Sequence, residues 1–325
     1  MPSVLNPKHL YELLDAQFPP QRWLVEGLIP LGGITLLSGA PESYKTWVML
    51  DTAISVAEGK PLFDKLPTTR TKVLIIDEES GGRILQERFL ALRVHSTSPI
   101  YSESMQGVIF TEDYVDSLVD WCITKGIGLV VIDSLTRIHR GDENSAKDIS
   151  ALFAQIRKLS NAGISVIILH HNRKSIPGFG YSANDIRGSS DILASVDSAI
   201  ALNTTRTGYI NVAPVKNRIA IKGRPFTVRL TEDGDYRLFE YVAEGKSKDD
   251  QFTDRKDAIL ELIEADPGII QSQIYQYFKQ EGIDIGGERA IKNTLDELIK
   301  SGQVEAIRGD KNALRFSINS SFVVS

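Results

Sequence analysis

Residues 34–50 read Ile-Thr-Leu-Leu-Ser-Gly-Ala-Pro-Glu-Ser-Tyr-Lys-Thr-Trp-Val-Met-Leu, and no other stretch restricts the fold of this chain as much. Ile34 to Leu37, apolar apart from Thr35, read as a short buried strand. Gly39, Ala40, Pro41, Glu42, Ser43 and Tyr44 carry turn formers and no apolar period. From Lys45 a helix is expected, with Val48, Leu50, Ile54 and Ala57 able to supply its apolar face. Strand, tight loop, Lys-Thr and helix make the layout of a phosphate-binding loop. Free N–H groups at the helix N-terminus point at an anion, and the helix dipole favours negative charge there. The candidate nucleotide-binding residues therefore run from Gly39 to Trp47. Lys45 is placed to reach the β- and γ-phosphates, and Thr46 to put its hydroxyl on Mg²⁺. The consensus asks for Gly at position 44, where this chain has Tyr44. A residue with a Cβ pays about 1–2 kcal/mol for the left-handed backbone that Gly tolerates. The loop is thus either reshaped or strained.

Two further strands end in carboxylates. Val73 to Ile76 runs into Asp77-Glu78-Glu79, and Leu129 to Ile132 runs into Asp133-Ser134. Strands covered on both faces read as continuous apolar runs, and ligands of doubly wound α/β sheets bind outside the carboxyl ends of such strands. Both acidic ends are thereby expected beside the phosphates, and Asp133 fits a carboxylate that holds Mg²⁺ directly or through water. A helix over 83–93 is expected to keep Arg83, Arg88 and Arg93 on a solvated face. Residues 134–145, with Arg137, His139 and Arg140, read as a mobile polar loop at the same edge. A third strand, Ile164 to Leu169, ends in His170-His171. Neighbours on a strand point to opposite faces. The pair is therefore a poor metal site; one ring is expected to face the phosphates and the other to pack.

Residues 173–188 are basic and Gly-rich, with Arg173, Lys174, Phe179, Tyr181 and Arg187. Cations that track a backbone and rings that stack on bases suit a single nucleic-acid strand; the alternative is an ordinary surface loop. Strands are expected at 196–202 and 209–214, then a hairpin, 226–230 with 236–241. Between them Lys216 and Arg218 stand two apart in a segment with no acidic residue from 212 to 231. Such a pair faces one way on an extended chain.

The chain has 325 residues, enough for two domains. An ATPase-type domain over 1–243, a polar linker over 244–252, a small domain over 253–319 and a tail over 320–325 are expected. In the small domain three short amphipathic helices and a hairpin make a winged helix, whose third helix would enter a major groove. Arg289, Lys292 and Lys300 on that helix, with Arg308 and Lys311 in the wing, are the candidate contacts. Glu288, Asp296 and Glu297 dilute the helix charge, and protein docking stays open as its role. With 37 Lys and Arg against 42 Asp and Glu, the net charge of −5 argues against a uniformly basic nucleic-acid coat. One cysteine, Cys122, excludes an internal disulfide. No apolar run approaches the ~18–20 residues of a membrane span and no signal peptide opens the sequence, so the cytoplasm is expected.

In this order and spacing, residues 22 to about 240 resemble the RepA-like branch of the RecA/DnaB-type hexameric ATPases, which includes plasmid and phage replicative helicases. The likeness is carried by Arg22-Trp-Leu, Gly39-Ala-Pro-Glu-Ser-Tyr-Lys-Thr, Ile76-Asp-Glu-Glu, Val131-Ile-Asp-Ser-Leu-Thr-Arg-Ile-His, Gly141-Asp-Glu-Asn, Leu169-His-His-Asn-Arg-Lys, Arg187-Gly-Ser-Ser and Lys216-Asn-Arg. It implies a RecA-like P-loop core with a mostly parallel sheet, ATP and Mg²⁺ as ligands, and a homo-oligomer, a hexameric ring. Single-stranded DNA is implied in the channel, and origin DNA or a replication protein at the winged helix. By resemblance Asp133 is the Walker B aspartate and Glu79 the carboxylate that orients the attacking water, with Glu78 as the competing assignment. His171 matches the sensor of the γ-phosphate. Lys216 and Arg218 match the pair inserted into the neighbouring subunit's site. The separate N-terminal domain of DnaB-type helicases has no counterpart in this sequence, which counts against a primase partnership. Two alternatives remain: a RecA-like mediator that coats a strand without unwinding it, and an ATP-switched regulator that reads duplex DNA through the winged helix.

Overall fold

The structure, a computed structural model, describes residues 7–17, 20–171, 190–204, 208–219, 223–245, 248–281, 285–309 and 313–319. It falls into two compact units, Met1–Glu244 and Gly245–Ser325. No helix among the described residues is long and apolar enough to cross a membrane.

The first unit begins with helix α1 (Leu10–Asp15) and a small hairpin, β1 (Trp23–Val25) and β2 (Ile29–Pro30). Then follow β3 (Ile34–Gly39), α2 (Lys45–Glu58), β4 (Lys72–Asp77), α3 (Gly82–Ala91), β5 (Ile100–Ser104), α4 (Glu112–Lys125), β6 (Ile127–Asp133), α5 (Ala146–Asn161) and β7 (Ser165–His171). A short helix α6 (Ser190–Ser195) leads to β8 (Ser198–Thr204), β9 (Tyr209–Asn217), β10 (Phe226–Asp233) and β11 (Tyr236–Glu244). Strands β3 to β11 form one sheet in the order β11-β10-β9-β8-β3-β7-β6-β4-β5. From β8 to β5 neighbours run parallel, and β9, β10 and β11 add an antiparallel flank.

The apolar runs in the sequence have a simple cause: both faces of the parallel strands are covered. Side chains alternate between two cores. Val73, Ile75, Leu129, Val131, Ile167 and Leu169 pack with α2 on one face. Leu74, Ile76, Val130, Ile132, Val166 and Ile168 pack with α4 and α5 on the other. Each fully buried Ile, Leu or Val contributes about 1.5–3 kcal/mol of burial. β3, buried at all six positions, sits at the centre between β7 and β8. Helix ends are set locally. Gly59 and Gly126 take left-handed angles to close α2 and α4, while Thr111 and Ser145 accept backbone N–H groups to open α4 and α5.

Three expectations change. The loop over 134–145 is anchored rather than mobile, because Leu135 and Ile138 are fully buried in the second core. β9 extends to Asn217 and so takes Lys216 into the sheet. The polar segment expected as a linker is shorter: β11 runs to Glu244 and the next helix starts at Lys248.

The second unit holds α7 (Lys248–Ala265), β12 (Ile269–Ile270), α8 (Gln271–Gln280), α9 (Glu288–Lys300), β13 (Val304–Arg308) and β14 (Leu314–Ile318). The strands pair antiparallel in the order β12-β14-β13. Ile259, Ile263, Ile274, Phe278, Ile291, Leu295, Leu298, Val304 and Phe316 form its own core. In α9, Ile291, Thr294, Leu295 and Leu298 face inward, leaving the charged residues outside. Ile291→Ala should destabilise this unit by about 2–5 kcal/mol through lost burial and a cavity. Because the cores are separate, nucleotide affinity of the first unit should stay unchanged, as read by urea unfolding alongside a nucleotide titration.

Candidate nucleotide-binding and catalytic site

The site is built at the carboxyl end of β3. Gly39 closes the strand, and a Cβ there would meet Ser43 Oγ at 2.4 Å and the Leu202 carbonyl at 3.0 Å. Only glycine lets the loop fold back this tightly. Tyr44 is the N-cap of α2 with φ 61° and ψ 20°, the left-handed conformation, and its side chain makes no capping bond. The loop is therefore not reshaped around the missing glycine; Tyr44 carries the strain, at about 1–2 kcal/mol. Glu42 also has a positive φ of 62°. Pro41, Glu42 and Tyr44 are exposed on the rim, with Ala40 beneath them.

Lys45 is buried at the first turn of α2. Its Nζ donates to the carbonyls of Gly39 (3.1 Å) and Ala40 (2.7 Å) and approaches Ser43 Oγ at 3.5 Å. Burial lowers its pKa, and the charges of Asp133 and Glu79 work in the other direction. Thr46 Oγ1 donates to Asp133 Oδ2 at 3.1 Å, joining the loop helix to the end of β6. Trp47 packs against the first core with Arg88 over its ring at 5.8 Å.

The acidic triplet separates into three jobs. Asp77 Oδ1 accepts the backbone N–H groups of Glu79 (3.1 Å) and Ser80 (2.9 Å), an Asx-type turn that ends β4. Glu78 is buried and accepts from Gln106 N (3.0 Å) and Gly107 N (2.9 Å), which occupies both oxygens with the turn after β5. Glu79 alone points into the site, 3.4 Å from His171 Nε2. The His171 contact, with Ser134 and Arg137 nearby, holds the Glu79 carboxyl down at about 2 despite partial burial. His170, the neighbour, is buried. The strand pairing explains the grouping: Gly39 is opposite His171, and Asp77 is opposite Asp133.

Asp133 is nearly inaccessible, and its peptide bond to Ser134 is cis. Burial, then the charges of Glu79 and Asp77, push its carboxyl up to about 6, with the Thr46 hydroxyl and Arg88 acting against them. A buried carboxylate beside a threonine hydroxyl and further carboxylates is a donor set that suits a hard divalent cation. Arg88 is the residue that sequence reasoning missed. It donates to Ser80 Oγ at 3.0 Å and lies close enough to favour ionised Asp133. The signal was its spacing of three from Leu85, the buried residue of α3.

Arg137 lies close enough to Glu79 to act on its charge; the other candidates lie elsewhere. Arg137 and Arg140 are exposed on the loop after β6. Arg173, Lys174, Phe179, Tyr181, Arg187 and Lys311 lie outside the described residues. Arg289, Lys292 and Arg308 are exposed in the second unit. Lys216 and Arg218 are at the opposite, amino edge of the parallel strands, where Lys216 is paired with Ala199 near the start of β8. Lys216 Nζ donates to the carbonyls of Leu193 (2.5 Å) and Ala194 (3.2 Å), and Arg218 to Ala194 (3.1 Å). The two cations that sequence left without a local partner thus rest on the C-terminus of α6.

The raised pKa of Asp133 has a sign. Its folded value of about 6 exceeds the ordinary 3.8, so the folded chain holds the proton more tightly than the unfolded chain does. Stability contributed by this group is present at low pH and is lost as pH rises from about 4 to about 6. Asp133→Asn should remove that loss and stabilise the ligand-free chain at pH 7 by on the order of 3 kcal/mol. Urea unfolding at pH 4 and pH 7 measures it, and an unaltered pH dependence in the variant would refute the assignment.

Comparison with known proteins agrees with this geometry. The family model described as AAA domain (AAA_25) matches residues 2–176. No curated protein matches the chain significantly. Among solved structures, one titled as an ATPase domain superposes with a TM-score of 0.50 at 16% identity, covering 63% of this chain and 84% of that one. A DnaB-like replicative helicase, described with its interactions with primase, gives a TM-score of 0.54 at 14% identity, covering 70% of this chain and 66% of that one. At such identities the likeness speaks for the fold. The family match spans more than half of the sequence, and the chain belongs to the AAA domain family.

Proposed function

We propose that this protein is an ATP-driven DNA motor of the RepA-like kind, a ring-forming replicative helicase with a C-terminal winged helix. The observation that carries the reading is the placement of Lys216 and Arg218. The backbone N–H of Arg218 bonds to the Asp197 carbonyl, and Asp197 in turn bonds Ile34 at the start of β3. The phosphate loop begins at the other end of β3. Six strand residues at ~3.3 Å each put the two ends roughly 17–20 Å apart. An arginine at one edge cannot serve the loop of its own subunit. It is suited to serve a neighbour's, as arginine fingers do in trans.

In this reading Lys45 and the loop N–H groups hold the phosphates, and Thr46 with Asp133 holds Mg²⁺. That ion, when bound, neutralises charge developing on the phosphate oxygens. Glu79, kept ionised beside His171, orients the attacking water. His171 lies between Glu79 and the segment that begins at 172, so it is positioned to report a change at either. Single-stranded DNA is taken by residues 135–145 and by the basic segment 173–186, which lies outside the described residues. The second unit has the element order of a winged helix, and α9 exposes Arg289 and Lys292 toward duplex origin DNA or a replication protein.

Glu79→Gln should keep ATP bound and stop its hydrolysis, since the amide keeps the shape and loses the base; Glu78→Gln should chiefly loosen the turn at 105–107. Single-turnover assays on both variants decide between the two carboxylates.

Arg218→Ala should bind ATP nearly normally and lose most turnover, a finger being worth ~10³–10⁵ where measured. Mixed with Lys45→Ala subunits, it should recover part of its activity, and more so when single-stranded DNA is added. Mixed rings place some intact loops beside intact fingers. A mixture as inactive as its components would remove the basis for the ring, and activity indifferent to single strands would favour the duplex-reading regulator.

A further inference from the structure

The amino edge of the sheet holds a cluster that the chemistry above leaves unused. A helix leaves its last four carbonyls without intrahelical partners. At the end of α6 the carbonyls of Leu193, Ala194 and Ser195 are taken by three cations. Lys216 bonds the first two, Arg218 bonds the second, and Arg157 from α5 bonds Ser195 at 2.5 Å. The other arm of Arg157 meets Asp197 Oδ2 at 2.7 Å, and the same oxygen accepts the Ile34 N–H at 2.9 Å. Asp197 is buried, and its main chain bonds Ile34 through N–H and Arg218 through C=O. One carboxylate therefore connects the start of the central strand, the helix α5 and the backbone of Arg218.

Resting on the ring reading above, we propose that Asp197 and Arg157 are positioning residues for the trans-acting pair: they fix the end of α6 against the sheet, and its carbonyls hold Lys216 and Arg218 in the geometry that meets the neighbouring subunit's phosphate. Long cationic side chains lose rotamer freedom on ordering, and a finger ordered beforehand does not meet that cost at the transition state. The carbonyls at the end of the helix supply negative potential for this, and the charge of Asp197 adds to it at Lys216. Arg157 supplies the fork, since a guanidinium can bond a carboxylate and a carbonyl at once where an ammonium has no fixed second arm.

Asp197→Asn keeps an acceptor for the Ile34 N–H and removes the charge that Arg157 pairs with. Its kcat should fall about tenfold to a hundredfold, the scale of a roughly 1 Å misplacement, while the ATP Kd and KM stay within about twofold. Arg157→Lys keeps the charge and loses the second arm, and should cost a smaller, few-fold part of kcat. The decisive readout is complementation. Mixed with Lys45→Ala subunits, which carry intact fingers, Asp197→Asn should regain activity above the sum of the two, because its own phosphate loop is intact. A purely structural role through Ile34 would damage that loop instead, raise the ATP Kd, and leave the mixture inactive. Unchanged kcat, weakened ATP binding or failed complementation each overturns the proposal. The Arg218→Ala and Lys45→Ala mixture is the control. If that control also fails, the ring reading falls; if it recovers while Asp197→Asn does not, only this inference falls. Should neither variant give a folded chain by circular dichroism and thermal melting, the pair determines the fold and the positioning role is overturned.

Discussion

The register of the central strands is the constraint on which the site depends. β3 pairs with β7 so that Gly39 stands opposite His171, and β4 pairs with β6 so that Asp77 stands opposite Asp133. All four strands run parallel, with β3 and β7 reaching two residues beyond β4 and β6, so their polar ends collect at one edge. A slip of one residue would turn each strand's apolar set to the wrong core, since the side-chain period is two. The two cores that enforce the register therefore also place the phosphate loop, the carboxylates and the histidine. Their stability and the site's geometry are not separable at these strands.

Charge at that edge is arranged by giving each acid a different environment. Asp77 and Glu78 are occupied by backbone N–H groups, which keeps them structural. Glu79 is held ionised by His171, while Asp133 is pushed toward its neutral form by burial among the other acids. The edge thus carries a stored electrostatic cost at Asp133 that a cation would relieve. Strain at Tyr44 adds to it, because a residue with a Cβ sits where the backbone is left-handed. Sites commonly hold such local costs, and the fully buried strands beneath them supply the stability to tolerate it.

The sheet has two edges with different work. The carboxyl edge holds the phosphate loop. The amino edge holds Lys216 and Arg218 on the end of α6, braced by Arg157 and Asp197. Strand length sets their separation, and under the proposed ring reading it is this separation that suits the pair to a neighbouring subunit's site. Asp197 touches both ends of that argument, because it bonds Ile34 on the strand that leads to Gly39.

The fold class was legible in the sequence because the parallel strands are buried on both faces. That produces mainly apolar runs at 34–37, 73–76, 129–132 and 164–169, broken only by Thr35 and Ser165, each followed by a polar residue near the sheet's edge. The phosphate loop was legible because Gly39, Lys45 and Thr46 have fixed spacing along one local turn. Local spacing, however, says nothing of what a side chain meets from distant segments. It could not show that Glu78 is taken up by the turn at 106–107 while Glu79 meets His171, nor that Tyr44 accepts the left-handed angle rather than reshaping the loop. Arg88 read as a solvated cation until α3 laid it over Trp47, and residues 134–145 read as mobile until Leu135 and Ile138 were seen in the core. Lys216 and Arg218 looked unneutralised because no acid is near them in sequence. Tertiary structure decided otherwise: it set them on the carbonyls at the end of α6 and beside Asp197, about twenty residues away in sequence, and neither neighbour can be read from the local segment.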